Sequence, residues 1–376
     1  MRKSRLGLAT AAAIASLVLA GCGGSSSGGG TPSANNNSSS PASASGKVGV
    51  ILPDATTSPR WESNDRPLLK AAFDAAGLGS DIQNANGDKS KFATICDSMI
   101  NEGVKVLAIV NLDSETGAAC LKKAQQAGIQ TIDYDRLTLG GGASYYVSFD
   151  NVQVGKLMGQ GLETCLNKMG KTSGVRVVMI DGDPTDNNAA LFKQGYKAAL
   201  QPMFASGKYK LVGDQTGKWD ATIAGTAFEQ LYTANGGKID GVVSANDTMA
   251  GGIIARLKAN KLNGKVPVTG QDASIPGLQA ILSGDQCVSI FKDIKKEADA
   301  TAAVAKALIA GQTPGSDLVN GTVRDTVLNK DVKSALQVPE AIFQNNVEDV
   351  VTAGYWKASQ ICTGSYAALC TKYGVK

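Results

Sequence analysis

An α/β fold built on parallel sheets is what the sequence predicts, and two observations carry that prediction. From residue 47 onward, short, mostly apolar runs alternate with longer segments of helical period, the pattern of a sheet covered on both faces. Each run also ends in an Asp, at the place where a parallel strand gives way to a loop and helix. In chain order the runs are KVGVILPD (47–54), KVLAIVNLD (105–113), IQTIDYD (129–135), VRVVMIDGD (175–183), IDGVVSAND (239–247) and KVPVTGQD (265–272). Amphipathic segments such as KSKFATICDSMINEG (89–103), NVQVGKLMGQGLETCL (151–166) and DTMAGGIIARLKANK (247–261) supply the helices between them.

What precedes residue 47 belongs to another class. Residues 1–22 join a basic start (Arg2, Lys3, Arg5) to an apolar stretch and then LAGC, which reads as an export signal. The LAGC ending resembles a bacterial lipobox and implies lipid on Cys22. Residues 23–46, rich in Gly, Ser and Asn, contain almost nothing to bury and are expected to be a flexible tether. Setting the three signal cations aside lowers the formal charge from +4 to +1, so nothing asks for nucleic acid. The chain has no histidine, which removes Ser-His-Asp and Cys-His catalysis and leaves a metal site poorly supplied. Cys96, Cys120, Cys165, Cys287, Cys362 and Cys370 make an even set in an exported chain. Six cysteines allow fifteen pairings, of which Cys362 with Cys370 is the one to test first.

In doubly wound α/β sheets, ligands bind beyond the carboxyl ends of the strands. A single Asp there usually caps the next helix, and Asp113 and Asp183 are read as a cap or turn. Combinations say more: YDR (134–136), AND (245–247), GQD (270–272) and FKD (291–293). A carboxylate accepts while an Arg fork donates, so the two together suit hydroxyls that do both, as a sugar's do. Trp61 and Trp219, two of three tryptophans, are placed in loops beside Arg60 and Asp220. Core packing would explain either one alone; as a pair at strand ends they are expected to be platforms for apolar C–H faces.

PRWESND (59–65), NANGD (84–88), DSMINEGVKVLAI (97–109), IDYDR (132–136), YYVSFDNVQVG (145–155), DPTDNNAALF (183–192), SANDTMAGG (244–252), GQDA (270–273) and IFKD (290–293) follow one another in a family's order and spacing. On these residues the chain resembles the periplasmic sugar-binding proteins of ABC transporters, above all the xylose-binding branch and the related multiple-sugar-binding lipoproteins. The resemblance implies a type I periplasmic-binding-protein fold, with two Rossmann-like lobes joined by a three-strand hinge. The expected lobes are 47–149 with 293–337 and 150–292 with 338–376, with crossovers near Ser148–Asn151, Lys292 and Val338. It implies ligand contacts from Arg60, Trp61, Asp135 and Arg136 in the first lobe. From the second it implies Asn188, Trp219, Asn246 and Asp272, with Lys292 at the hinge. Unassigned Asp54 or Asp247 would cancel the small positive excess of that set. The tail SQICTGSYAALCTKYGVK has no match in the pattern.

The function so implied is that of a monomeric extracytoplasmic binding protein, neither an enzyme nor dependent on a cofactor, held to the membrane through Cys22. It would capture a neutral monosaccharide, xylose by resemblance. No P-loop occurs, so a permease and a separate ATPase are the expected partners. A glycoside hydrolase using cleft carboxylates and a sugar sensor without a transport role are the alternatives. A sugar-responsive repressor would need a DNA-binding segment where the signal and tether stand. Against a hydrolase, the acids lie beside Arg or Lys, which keeps them ionised.

Overall fold

The computed structural model describes residues 46–376; the export signal, Cys22 and the tether up to residue 45 lie outside the described residues. The strands are β1 (Lys47–Leu52), β2 (Gly79–Asn84), β3 (Val106–Ile109), β4 (Gln130–Tyr134), β5 (Tyr145–Phe149), β6 (Val175–Asp181), β7 (Tyr209–Thr216), β8 (Gly241–Ser244), β9 (Thr269–Gln271), β10 (Val288–Phe291), β11 (Gly321–Asp325), β12 (Lys330–Gln337) and β13 (Glu340–Ile342). Seven form one sheet in the order β11-β12-β5-β4-β3-β1-β2, parallel except where β11 meets β12. The others run β7-β6-β8, parallel, and β9-β10-β13, in which β13 is antiparallel. A single parallel bridge, Val242 to Val268, sets β8 beside the start of β9.

Period-two alternation explains why these runs are strands. In β1 and β3, Val48, Val50, Leu52, Val106 and Ala108 pack on one face with Leu69 and Phe73 of the helix Arg66–Ala76 and Ala298 and Ala305 of the helix Ile294–Ile309. The interleaved Ile51, Leu107 and Ile109 pack on the other face with Phe92, Met99 and Leu121 of the helices Lys89–Asn101 and Ser114–Gln126. Both faces are dry, so the strands read as nearly continuous apolar runs. A separate, larger core surrounds β6, β8, β9 and β10. The chain leaves the seven-stranded sheet after Phe149, crosses after Phe291 to the helix Ile294–Ile309 that packs on it, rejoins it at β11 and leaves again between Gln337 and Glu340.

Of the six run-ending aspartates, Asp113 alone caps a helix, accepting from the Thr116 N–H at 2.7 Å. Asp183 accepts from Thr185 in a turn. The other acidic caps are Asp88, Asp150, Asp186, Asp220 and Asp293. KVPVTGQD is strand only at Thr269–Gln271, because Pro267 has no N–H to give a ladder. Disulfides join Cys96 to Cys120, Cys165 to Cys287 and Cys362 to Cys370. Residues 348–376 form the helices Glu348–Thr352, Ala358–Ile361 and Tyr366–Tyr373, the last two in the unmatched tail, and Gln279 of the helix Ile275–Ser283 donates to the Ile361 carbonyl at 2.9 Å.

Candidate functional site

Loops from the carboxyl ends of both strand systems converge on a cavity of about 30 Å³, far below the roughly 300–1,000 Å³ usual for small-molecule pockets. Arg60, Trp61, Asp135, Arg136, Asn188, Trp219, Asn246, Asp272 and Lys292, the nine residues singled out from sequence, all line it. So do Thr57, Ser58, Asp186, Phe192 and Gln271, which sequence reasoning did not single out.

The local backbone is shaped for this convergence. Asp135, Trp219 and Asp272 adopt φ of 61°, 60° and 90°, values that non-glycine residues rarely take and that concentrate at functional sites. Trp61 is not in a loop, as expected from sequence, but begins a π-helical turn, Trp61–Asp65, that runs into the next helix. Single π turns often mark functional positions because they re-aim side chains within a helix. Trp219 packs edge-on to Phe192, with centroids 6.3 Å apart, and lies so close to Gly182 that a Cβ there would collide with the indole. Asn246 caps the helix Asp247–Ala259 through its side-chain oxygen, which leaves its amide free to donate to the Thr57 carbonyl at 3.3 Å.

Arg60 is the centre of the electrostatics. Its guanidinium makes two bonds to Asp65, at 2.9 and 2.7 Å, one to Asp135 at 2.8 Å and one to Glu297 at 2.9 Å. Burial works against its charge, yet these three carboxylates hold its pKa well above the usual value. Lys292 lies 3.0 Å from Asp272 and 3.9 Å from Asp135, and Arg136 lies 2.9 Å from Asp186. Burial pushes Asp135 up, but Arg60, Lys292 and Arg136 outweigh it and its carboxyl sits below the ordinary range. Glu297 goes the other way: buried, and facing the charges of Asp135 and Asp65, it is held well above it. Burial likewise raises Asp65 and Asp186, with Arg60 and Arg136 respectively offsetting part of the effect.

These neighbours correct the sequence-based charge balance. Asp54 spends its carboxylate on the N–H groups of Thr56 and Thr57, and Asp247 faces Ser274, Gln286 and Ser289. Asp186, Asp65 and Glu297 balance the cations instead. Asp186 and Glu297 are also acids with raised pKa, contrary to the expectation that the cations would keep every site acid readily ionised.

Several bonds cross from one strand system to the other. Ser58 donates to Asp272 at 3.1 Å, Asn188 donates to the Asp135 carbonyl at 2.8 Å, and Tyr146 donates to Asn188 at 3.2 Å. Trp219 Nε1 and Gln271 Oε1, both buried, have no protein partner. Such orphans at a cavity wall mark where a ligand's hydroxyls would satisfy them. Among the described residues there is no cluster of three or more acidic or cysteine side chains placed to hold a metal ion.

The periplasmic binding protein domain model matches residues 48–313. The chain is 35% identical over 320 residues to the D-xylose-binding periplasmic protein of Escherichia coli (strain K12), a match that covers 84% of this chain and 92% of that one. It is 33% identical over 335 residues to the multiple sugar-binding periplasmic receptor of Rhizobium radiobacter, covering 85% and 93%. A carbohydrate transporter solute binding protein from Chloroflexus aurantiacus, solved in complex with D-glucose, superimposes with a TM-score of 0.75 at 28% identity, over 83% of this chain and 97% of that one. All three are binding proteins or receptors, and the hydrolase alternative falls with them. Matched along most of its body by the family model, and along nearly the whole of its relatives, the chain belongs to the periplasmic binding protein family, beside its xylose-binding and multiple-sugar-binding members.

Proposed function

We propose that this ABC-transporter binding protein captures a neutral pyranose of the xylose type and delivers it to a permease driven by a separate ATPase. One observation carries the reading: the site sets Asp135, Asp272, Asn188 and Asn246, with the unpartnered Trp219 Nε1 and Gln271 Oε1, around a small cavity walled by two tryptophans. Carboxylates accept from hydroxyls and amides do both, so each face of a sugar ring would find a partner. Arg60 and Arg136 already lie over Trp61, 4.5 and 5.4 Å from a ring centroid, which makes Trp219 the freer platform. The three cations are matched by Asp135, Asp272, Asp186, Asp65 and Glu297, so a sugar phosphate would bring its charge to a site with no spare cation.

The mechanism that follows is capture by closure. Residues 47–149 with 293–337 form the proposed first lobe, and 150–292 with 338–376 the second. A sugar touching both stabilises the closed state by the contacts it makes only there. Among the described residues each disulfide stays within one proposed lobe, so none would lock the hinge. Cys22 is the proposed lipid attachment, which would keep the monomeric protein at the outer face of the membrane.

A thermal-shift panel of D-xylose, D-glucose, D-galactose, L-arabinose, myo-inositol and xylose 5-phosphate tests the ligand. Xylose at a hundred times its dissociation constant should stabilise the fold by about 2.7 kcal/mol. A shift with the phosphate alone, or with none of the six, would count against the assignment. Xylose is ranked first with support from relatives named for xylose and for multiple sugars; a larger shift with glucose would make the hexose the ligand.

A further inference from the structure

The loop that presents Asp272 is left-handed at two successive non-glycine residues, Asp272 at φ 90° and Ala273 at φ 46°. Such a backbone persists only where its surroundings over-determine it. Here four backbone groups of the loop are tied down. The Asp272 N–H donates to the Ile290 carbonyl at 2.9 Å and the Ala273 N–H donates to Ser289 Oγ at 3.0 Å. The Ser274 N–H donates to Asp247 Oδ2 at 2.9 Å, and the Ala273 carbonyl accepts from Trp356 Nε1 at 2.8 Å.

Two of those partners converge on one carboxylate. Asp247 accepts from the Ser274 N–H and hydroxyl, from Gln286 Nε2 at 2.7 Å and from Ser289 Oγ at 2.8 Å, so the serine that holds Ala273 is itself oriented by Asp247. The cradle is tight: a Cβ on Gly270 or Gly277 would collide with the Asp247 carboxylate. Neither Asp247 nor Trp356 lines the sugar cavity. Trp356 comes from the C-terminal segment, whose Tyr355 is buried against Phe291, with centroids 5.1 Å apart.

We infer that Asp247 and Trp356 are positioning residues for sugar binding, which hold the 272–274 backbone and thereby fix the Asp272 carboxylate against Lys292 in the cavity. The inference rests on the proposed sugar site. It gives the segment around Trp356 a place in binding although Trp356 does not line the cavity.

The test is calorimetric titration of the full mature chain with D-xylose, alongside urea unfolding of the ligand-free protein. Asp247→Asn keeps the shape but turns an N–H toward a donor, and should weaken xylose binding about tenfold, or 1.4 kcal/mol. Trp356→Phe, which deletes the indole donor, and Ser289→Ala, which deletes the Ala273 acceptor, should weaken it severalfold and serve if Asp247→Asn does not fold. In an Asp272→Ala background, followed by NMR at high sugar concentration, the same changes should cost less than twofold, because they act through Asp272. Affinities within twofold of wild type, or losses as large without Asp272 as with it, would overturn the inference. A wild-type protein that binds no sugar would instead overturn the site assignment on which it stands.

Discussion

Replacing Asp135 with Asn isolates one charge at the centre of the site. The substitution keeps the side chain's shape, and Asn tolerates the left-handed φ of 61° at this position. It removes the anion 2.8 Å from Arg60 and 3.9 Å from Lys292. Breaking a buried ion pair usually costs about 3–5 kcal/mol, but this pair does not leave an orphan. Arg60 keeps two bonds to Asp65 and one to Glu297, and Lys292 keeps Asp272 at 3.0 Å. Glu297, held up by burial and then by the charge of Asp135, ionises more readily once that charge is gone. The ligand-free variant should therefore stay folded, with a loss on the order of 1 kcal/mol, the worth of a typical hydrogen bond. Sugar binding should suffer more, because a hydrogen bond to an ionised acceptor contributes about 2 kcal/mol, or ~30-fold in affinity. At the xylose concentration that stabilises wild type by about 2.7 kcal/mol, the variant should gain only about 0.9 kcal/mol. Urea unfolding with and without xylose reads both quantities. A ligand-induced gain equal to that of wild type would refute the assignment of Asp135 to the sugar.

Three other outcomes follow from particular contacts. Gly182→Ala should drive the Trp219 indole from its seat, at an overpacking cost of about 1–3 kcal/mol, and weaken xylose binding at least about tenfold; unchanged tryptophan fluorescence and affinity would contradict the packing. Burial pushes the carboxyls of Asp133 and Asp247 up to about 7, so between about pH 4 and 7 the folded chain keeps protons that the unfolded chain has released. Stability should then fall as pH rises through that window, by about 1.4 kcal/mol per pH unit for each group, and Asp133→Asn should flatten the slope; urea titrations from pH 4.5 to 8 showing stability that rises instead would exclude it. Cys22→Ser should release the protein from membranes or leave its signal uncleaved, and mass spectrometry of an unmodified, soluble wild-type N-terminus would remove the lipid anchor.

Local periodicity and sequence-distant pairing explain what could be read from the sequence. Val48, Val50 and Leu52 against Ile51 gave β1 two apolar faces and made it legible as a buried strand. β2, GSDIQN, lies at the sheet edge, half-exposed and polar, and has no such signal. β11, the other edge strand, is equally polar, and β12 between it and β5 opens on the exposed Lys330, Asp331 and Lys333, so both were missed. The nine lining residues were found through motif order in the family resemblance. The acids that balance them were not: Glu297 meets Arg60 across 237 positions, from inside an amphipathic helix whose pattern announces nothing about a partner. Asp186 stood inside a quoted motif, but its cap to the helix Asn187–Ala205 and its ion pair to Arg136 are visible only once both loops are placed. Disulfide pairing was underdetermined for the same reason, since the partners Cys165 and Cys287 lie 122 residues apart.

The proposed mode of capture is closure of the protein over a neutral sugar. Small-angle scattering of the purified protein, with and without saturating xylose, tests it most directly. A closed body of roughly 330 residues should have a radius of gyration near 20 Å, with the tether adding to it equally in both states. The radius should be smaller with xylose than without, and at a hundred times the wild-type dissociation constant Asp135→Asn should show only a partial decrease. A radius that stays the same at saturating xylose, while calorimetry shows the sugar bound, would contradict it.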